Sequence, residues 1–180
     1  MKKIGIIVGS LRKESFNRAV AEYMASVAPE SYFVSFPDIG KLELYNQDLD
    51  DTPTDAWVEF RNEIKALDAL LFVTPEYNRS IPGVLKNAVD IGSRPYGQSV
   101  WTGKPGGVVS VSPGAIGGFG ANQHLKQVLS CLNVYLMNQP EAYVGNIIEA
   151  LDDSGRVVSE HTQAFLSQYM KRFIKWIDRF

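Results

Sequence analysis

The segment Ala69-Leu70-Leu71-Phe72-Val73 contains no polar residue. A strand wet on one side alternates apolar and polar residues, so an unbroken apolar run of this length fits burial on both faces, as in a parallel sheet. Parallel neighbours must be joined by crossovers, usually helices, and the chain supplies them. Extended segments are expected at Lys3–Val8, Tyr32–Phe36, Ala69–Val73, Gly107–Val111 and Val134–Met137. Helical periods lie between and after them. Phe16, Val20, Met24 and Val27 share one face of a helix from about Phe16 to Ala28, and Trp57, Phe60, Ile64 and Leu67 share one that starts at Thr54. A third helix begins within Ile81–Leu85 with Pro82 in its first turn, and a fourth runs to about Leu132. Leu166, Met170, Phe173 and Ile177 line the last, from about Glu160 to Asp178. This order predicts one α/β domain over residues 1–180, with a five-stranded parallel sheet and helices on both sides.

Composition narrows the partners. The 18 basic and 20 acidic side chains leave a formal charge of −2, which gives no electrostatic case for nucleic acid or a membrane surface. Cys131 is the single cysteine, so no internal disulfide can form, and it is expected to be buried and inert at a helix end. No apolar run approaches the roughly 20 residues of a spanning helix, and the first strand begins almost at Met1; a cytoplasmic location is the expectation.

In an open parallel sheet, ligands collect at the carboxyl ends of the strands. The loops after the first, third and fourth strands should therefore meet, and they hold the most unusual residues of the chain. The first reads Gly9-Ser10-Leu11-Arg12-Lys13-Glu14-Ser15-Phe16-Asn17. Free backbone N–H groups and the positive helix end converge there, and Ser10, Arg12, Ser15 and Asn17 add donors and charge, which suits a phosphate. Ser15 also fits a plain N-cap, and Arg12 alone fits a solvated arginine. The segment is neither a Walker A loop nor G-x-G-x-x-G. The second loop, Thr74-Pro75-Glu76-Tyr77-Asn78-Arg79-Ser80-Ile81-Pro82, offers a flat aromatic surface and successive N–H groups around Glu76 to Asn78 for a planar ring; an ordinary turn with Tyr77 on the surface fits it equally. The third, Ser112 to Gly120, has four glycines in nine positions, which allows either close approach to a ligand or a mobile, tightly packed loop. Gln123 stands where a third nucleotide-loop glycine would follow Gly118 and Gly120. Together, a phosphate pocket, a ring platform and a glycine loop at one sheet edge suit FMN.

Three motifs carry a resemblance. They are Gly9-Ser10-Leu11-Arg12-x-x-Ser15-Phe16-Asn17, Thr74-Pro75-Glu76-Tyr77-Asn78, and Ile81-Pro82-Gly83-Val84-Leu85-Lys86-Asn87-Ala88-x-Asp90. With them the chain resembles the NAD(P)H-dependent FMN reductases of the flavodoxin-like superfamily, in particular their quinone/chromate reductase branch. The resemblance implies a flavodoxin-like three-layer sandwich with strand order 2-1-3-4-5 and a non-covalently bound FMN. It implies that Ser10, Arg12, Ser15 and Asn17 hold the phosphate beside the Leu11 backbone. Pro75, Glu76, Tyr77 and Asn78 line the isoalloxazine, and Ser112 and Gly114 approach the ribityl chain and ring. NADPH or NADH passes a hydride to the flavin, and a quinone, free flavin, azo dye or metal oxyanion such as chromate then takes electrons at the same face in alternation. A homodimer or homotetramer is implied, with Lys86, Asn87 and Asp90 near the contact; these three fit an ordinary polar helix face equally. Ile91 departs from the tryptophan of many relatives, and Gly120 and Gln123 depart from the branch's arginine and tyrosine.

No catalytic side chain is identifiable, and no metal site is expected, because His124 and His161 lack ligand spacing with each other or with Cys131. Both histidines are expected at the surface or at an interface. Arg79 is the only suggestion for a 2′-phosphate contact. A non-enzymatic electron carrier of flavodoxin type is the alternative reading, weighed down by the near-neutral charge.

Overall fold

A computed structural model describes all 180 residues. The strands β1 (Lys2–Val8), β2 (Tyr32–Ser35), β3 (Ala69–Thr74), β4 (Pro105–Val111) and β5 (Tyr135–Leu136) lie in the order β2-β1-β3-β4-β5, all parallel. The helices are α1 (Phe16–Ser26), α2 (Asp55–Lys65), α3 (Gly83–Gly92), α4 (Phe119–Cys131) and α5 (Glu160–Ile177). The flavodoxin-like order and the parallel sheet are as expected.

The apolar run of β3 is explained by two cores. Ala69, Leu71 and Val73 point to one side and join Val20 and Met24 of α1 and Leu166, Met170 and Phe173 of α5. Leu70 and Phe72 point to the other and join Trp57 and Phe60 of α2, Leu85 of α3 and Leu125 of α4. Alternate residues of a strand face opposite sides, and here both sides are dry. Each buried Leu, Phe or Val of the run contributes about 1.5–3 kcal/mol by leaving water, so a polar residue in its place would be costly.

Helix boundaries follow local chemistry. Ser15, Thr54 and Ser159 cap α1, α2 and α5 by accepting the N–H of Arg18, Trp57 and Thr162. Pro82 precedes α3 as its N-cap residue rather than sitting inside it.

Two expectations are corrected. The fifth strand, expected at Val134–Met137, is shorter, and the edge continues in a second strand that was not expected. β5 pairs with Pro105–Gly106, the chain leaves the ladder, and a further strand β6 (Ala142–Val144) pairs with Val109–Val111 of the same β4. Pro140 lacks the N–H that a continuous ladder would need. Cys131 is exposed. It is the last residue of α4, whose core face is taken by Ala121, Leu125 and Leu129. No helix is long and apolar enough to cross a membrane.

Candidate functional site

The loops after β1, β3 and β4 form one continuous edge. The first and second touch at Gly9, whose N–H donates to Val73 O at 2.9 Å. A Cβ there would lie 3.0 Å from Thr74 Oγ1, 3.1 Å from Leu85 Cδ2 and 3.4 Å from Pro75 Cδ. The second and third touch through Glu76, whose Cβ would sit 3.6 Å from a Cβ on Gly118.

In the first loop, the N–H groups of Ser10, Leu11, Phe16 and Asn17 donate to no acceptor in the chain. The first turn of α1 carries no acidic side chain, so the helix end keeps its positive character. Ser15 is the N-cap, its Oγ accepting from Arg18 N–H at 3.2 Å. Its hydroxyl hydrogen remains to donate, so the capping role does not exclude an anion. Asn17 is 4 % exposed and its side-chain amide makes no hydrogen bond, with Oδ1 buried and orphaned. An anion cannot satisfy Oδ1, itself an acceptor, but the NH2 end of the same amide makes no hydrogen bond within the chain and can donate to one. Arg12 is tied back: Nε donates to Glu14 O at 2.7 Å, Nη2 donates to the same carbonyl, and the guanidinium lies 4.2 Å over the Phe16 ring. It remains exposed at the loop. These donors fit a phosphate ester.

In the second loop, Tyr77 N–H donates to Ser80 O at 2.9 Å and Ser80 N–H to Tyr77 O at 3.0 Å. This closes a two-residue turn with Asn78 at φ 51° and Arg79 at φ 65°, the left-handed pair of a type I′ hairpin. One expectation is thereby corrected: the Tyr77 N–H is spent inside the loop. The Glu76 and Asn78 N–H groups remain without acceptors. Arg79 Nη1 donates to Glu76 Oε1 at 2.9 Å, so it is engaged close to its own loop. Tyr77 is 53 % exposed.

In the third loop, Ser112 Oγ accepts the Gly114 N–H at 3.1 Å. Gly117 and Gly118 hold φ of 65° and 75°, backbone that side chains disfavour. Ser110, fully buried, donates to Gly117 O at 2.6 Å and fixes the loop from beneath. Behind it, Tyr143 receives a hydrogen bond from Gln123 Nε2. Burial and the neighbouring Glu141 carboxylate push its hydroxyl up to about 12, so it stays a neutral phenol.

The α3 residues implied near a subunit contact make bonds within the chain. Asn87 is spent inside its own chain, on the segment after β2. Lys86 and Asp90 pair with each other at 2.8 Å. His124, exposed as expected, has Nδ1 2.7 Å from Ser80 Oγ and so braces the second loop from α4. Nothing in its sequence spacing pointed to that contact, because 44 residues separate the two. A groove of about 870 Å³ lies beside the first loop, between α1 and residues 148–157, and shares Arg12, Ser15 and Phe16 with it. Leu11 of the first loop, Tyr77 of the second, and Ile116 and Phe119 at the third loop and the start of α4 are exposed.

Comparison with known proteins points the same way. The family model described as NADPH-dependent FMN reductase matches residues 2–149. A quinone reductase of Pseudomonas putida is 53% identical over 175 residues, covering 97% of this chain and 94% of that protein. The solved structure of FerB, a flavoenzyme NAD(P)H:(acceptor) oxidoreductase from Paracoccus denitrificans, superposes with a TM-score of 0.93 at 38% identity, covering 99% and 98% of the two chains. A flavodoxin from Pseudomonas aeruginosa shares the fold at 16% identity, with a TM-score of 0.63 and coverage of 98% and 99%.

Proposed function

Because the chain belongs to the NADPH-dependent FMN reductase family, we propose that residues 1–180 form one FMN-binding domain that oxidises NADPH or NADH and reduces a quinone. The observation that carries this is the β1–α1 turn, where a row of unused N–H donors meets the unbonded Asn17 amide. Ser10, Leu11, Arg12, Ser15 and Asn17 hold the phosphate. Pro75, Glu76, Tyr77 and Asn78 line the isoalloxazine, with the free N–H groups of Glu76 and Asn78 as donors to its polar edge. Ser112 and Gly114 border the ribityl chain.

When bound, FMN supplies a two-electron acceptor for hydride and a donor to the second substrate. The protein binds and orients. The exposed apolar side chains at the three loops suit a flat nicotinamide or quinone, each entering in turn, which is an alternating mechanism. Free flavins, azo dyes and chromate belong to the same reading as further acceptors. The exposed Leu11, Tyr77, Ile116 and Phe119 support a homodimer or homotetramer that covers this edge. Dependence on NAD(P)H is in keeping with a cytoplasmic setting.

The test is anaerobic stopped flow. Protein loaded with FMN should bleach with at least one nicotinamide and regain its yellow colour with simple benzoquinones, and double-reciprocal plots should be parallel. FMN-loaded protein that neither nicotinamide reduces would overturn the enzyme reading in favour of a carrier.

A further inference from the structure

Glu76 reaches from the second loop into the third. Its side chain is 12 % exposed, while that of Arg79 is 74 % exposed. Oε2 accepts the Ala121 N–H at 3.0 Å in the first turn of α4, and Oε1 accepts from Arg79 Nη1 at 2.9 Å. α4 follows Gly118 in left-handed backbone and has no side-chain cap of its own, so Glu76 supplies the missing acceptor from 45 residues away. Negative charge is favoured at that helix end. The carboxylate also occupies the volume that a side chain at position 120 would fill. A Cβ on Gly120 would lie 2.8 Å from Glu76 Oε2 and 3.1 Å from Arg79 O. Arginine is uncommon at a φ of 65°, and such backbone persists where the surroundings over-determine it. The Glu76 ion pair and the Tyr77–Ser80 bridge do so here.

We propose that Glu76 is a positioning residue whose carboxylate does not contact the flavin. It locks the 77–80 turn onto the start of α4, with Gly120 as its steric partner. The lock holds the Glu76 and Asn78 N–H groups where a ring can use them. The proposal rests on the reading above that the second loop lines the isoalloxazine.

The experiment compares wild type, Glu76→Ala, Glu76→Gln and Gly120→Ala. It measures FMN affinity of the apoprotein by fluorescence titration, amide exchange at Ala121 without flavin, and the flavin midpoint potential. Glu76→Ala should weaken FMN binding about tenfold, the loss of one cap-sized interaction. It should also speed exchange at Ala121 and shift the potential. Glu76→Gln keeps an acceptor oxygen for Ala121 N–H and should recover part of both the affinity and the protection. Gly120→Ala should follow Glu76→Ala. If Glu76→Ala fails to fold, the other two variants carry the test. Wild type that binds FMN, with the variants binding it equally well, would overturn the proposal alone. So would weakened binding with undisturbed Ala121 protection. Wild type that takes up no FMN would overturn the premise together with the proposal.

Discussion

Asn87 Oδ1 accepts the backbone N–H of Tyr45 at 2.7 Å, across 42 residues of sequence. Its Nδ2 donates to Glu43 O at 3.1 Å and Leu42 O at 3.4 Å. One buried amide thus pins the long segment after β2 onto α3. Asn87→Ala leaves a backbone donor and two carbonyls without their partner, and should cost about 1–3 kcal/mol. Urea unfolding of the apoprotein measures it, with Asn87→Asp losing at least as much at neutral pH, because it keeps the Tyr45 acceptor but sets a buried carboxylate against the Leu42 and Glu43 carbonyl oxygens.

Asn17 offers the opposite balance. Its amide is buried and makes no hydrogen bond within the chain. Asn17→Leu should leave the apoprotein at least as stable while weakening FMN about ten- to a hundredfold, the range of a hydrogen bond to a charged group. Riboflavin, which lacks the phosphate, should bind both forms alike. Equal losses for FMN and riboflavin would remove Asn17 from the phosphate site.

Gly9 separates the phosphate loop from the ring loop by contact alone. Valine there would press on Thr74 Oγ1 and Leu85 Cδ2, already 3.0 and 3.1 Å from where a Cβ would stand. Gly9→Val should cost about 1–3 kcal/mol of stability by overpacking and raise the FMN dissociation constant by forcing the loops apart. Gly9→Ala should do both to a smaller degree. Thermal unfolding and titration of the same samples check the pair.

Acid should loosen the turn beside the large groove. Asp152 is held down to about 2, first by the Ser154 hydroxyl and then by the Arg156 N–H and guanidinium. Its unfolded value is near 3.8, so its folded form prefers the carboxylate. That stabilisation is present above pH 4 and is lost as the pH falls toward 2. Asp152→Asn should therefore unfold at lower urea than wild type at pH 5, with the gap closing near pH 2.

Much of this protein was legible before folding was considered. The apolar run of β3, the alternation of periods, the cap at Ser15 and the helix start at Thr54 are local signals. Each depends on residues a few positions apart, and local chemistry sets them. The three motif loops were legible for a related reason: topology places the ends of parallel strands at one edge whatever the side chains do.

Contacts between those loops were not legible. That Glu76 caps α4, that His124 braces Ser80 and that Asn87 holds Tyr45 depend on pairs separated by 42 to 45 residues, for which the chain carries no periodic signal. The same holds for the split edge strand, where Pro140 was visible but the return of Ala142–Val144 to β4 was not. Cys131 misled because an apolar neighbourhood in sequence says little about which face of a helix end looks outward. Sequence alone determined the layers and which residues could serve a flavin; the tertiary structure decided which of their donors are already spent, because a hydrogen bond once made inside the fold is no longer free for a ligand.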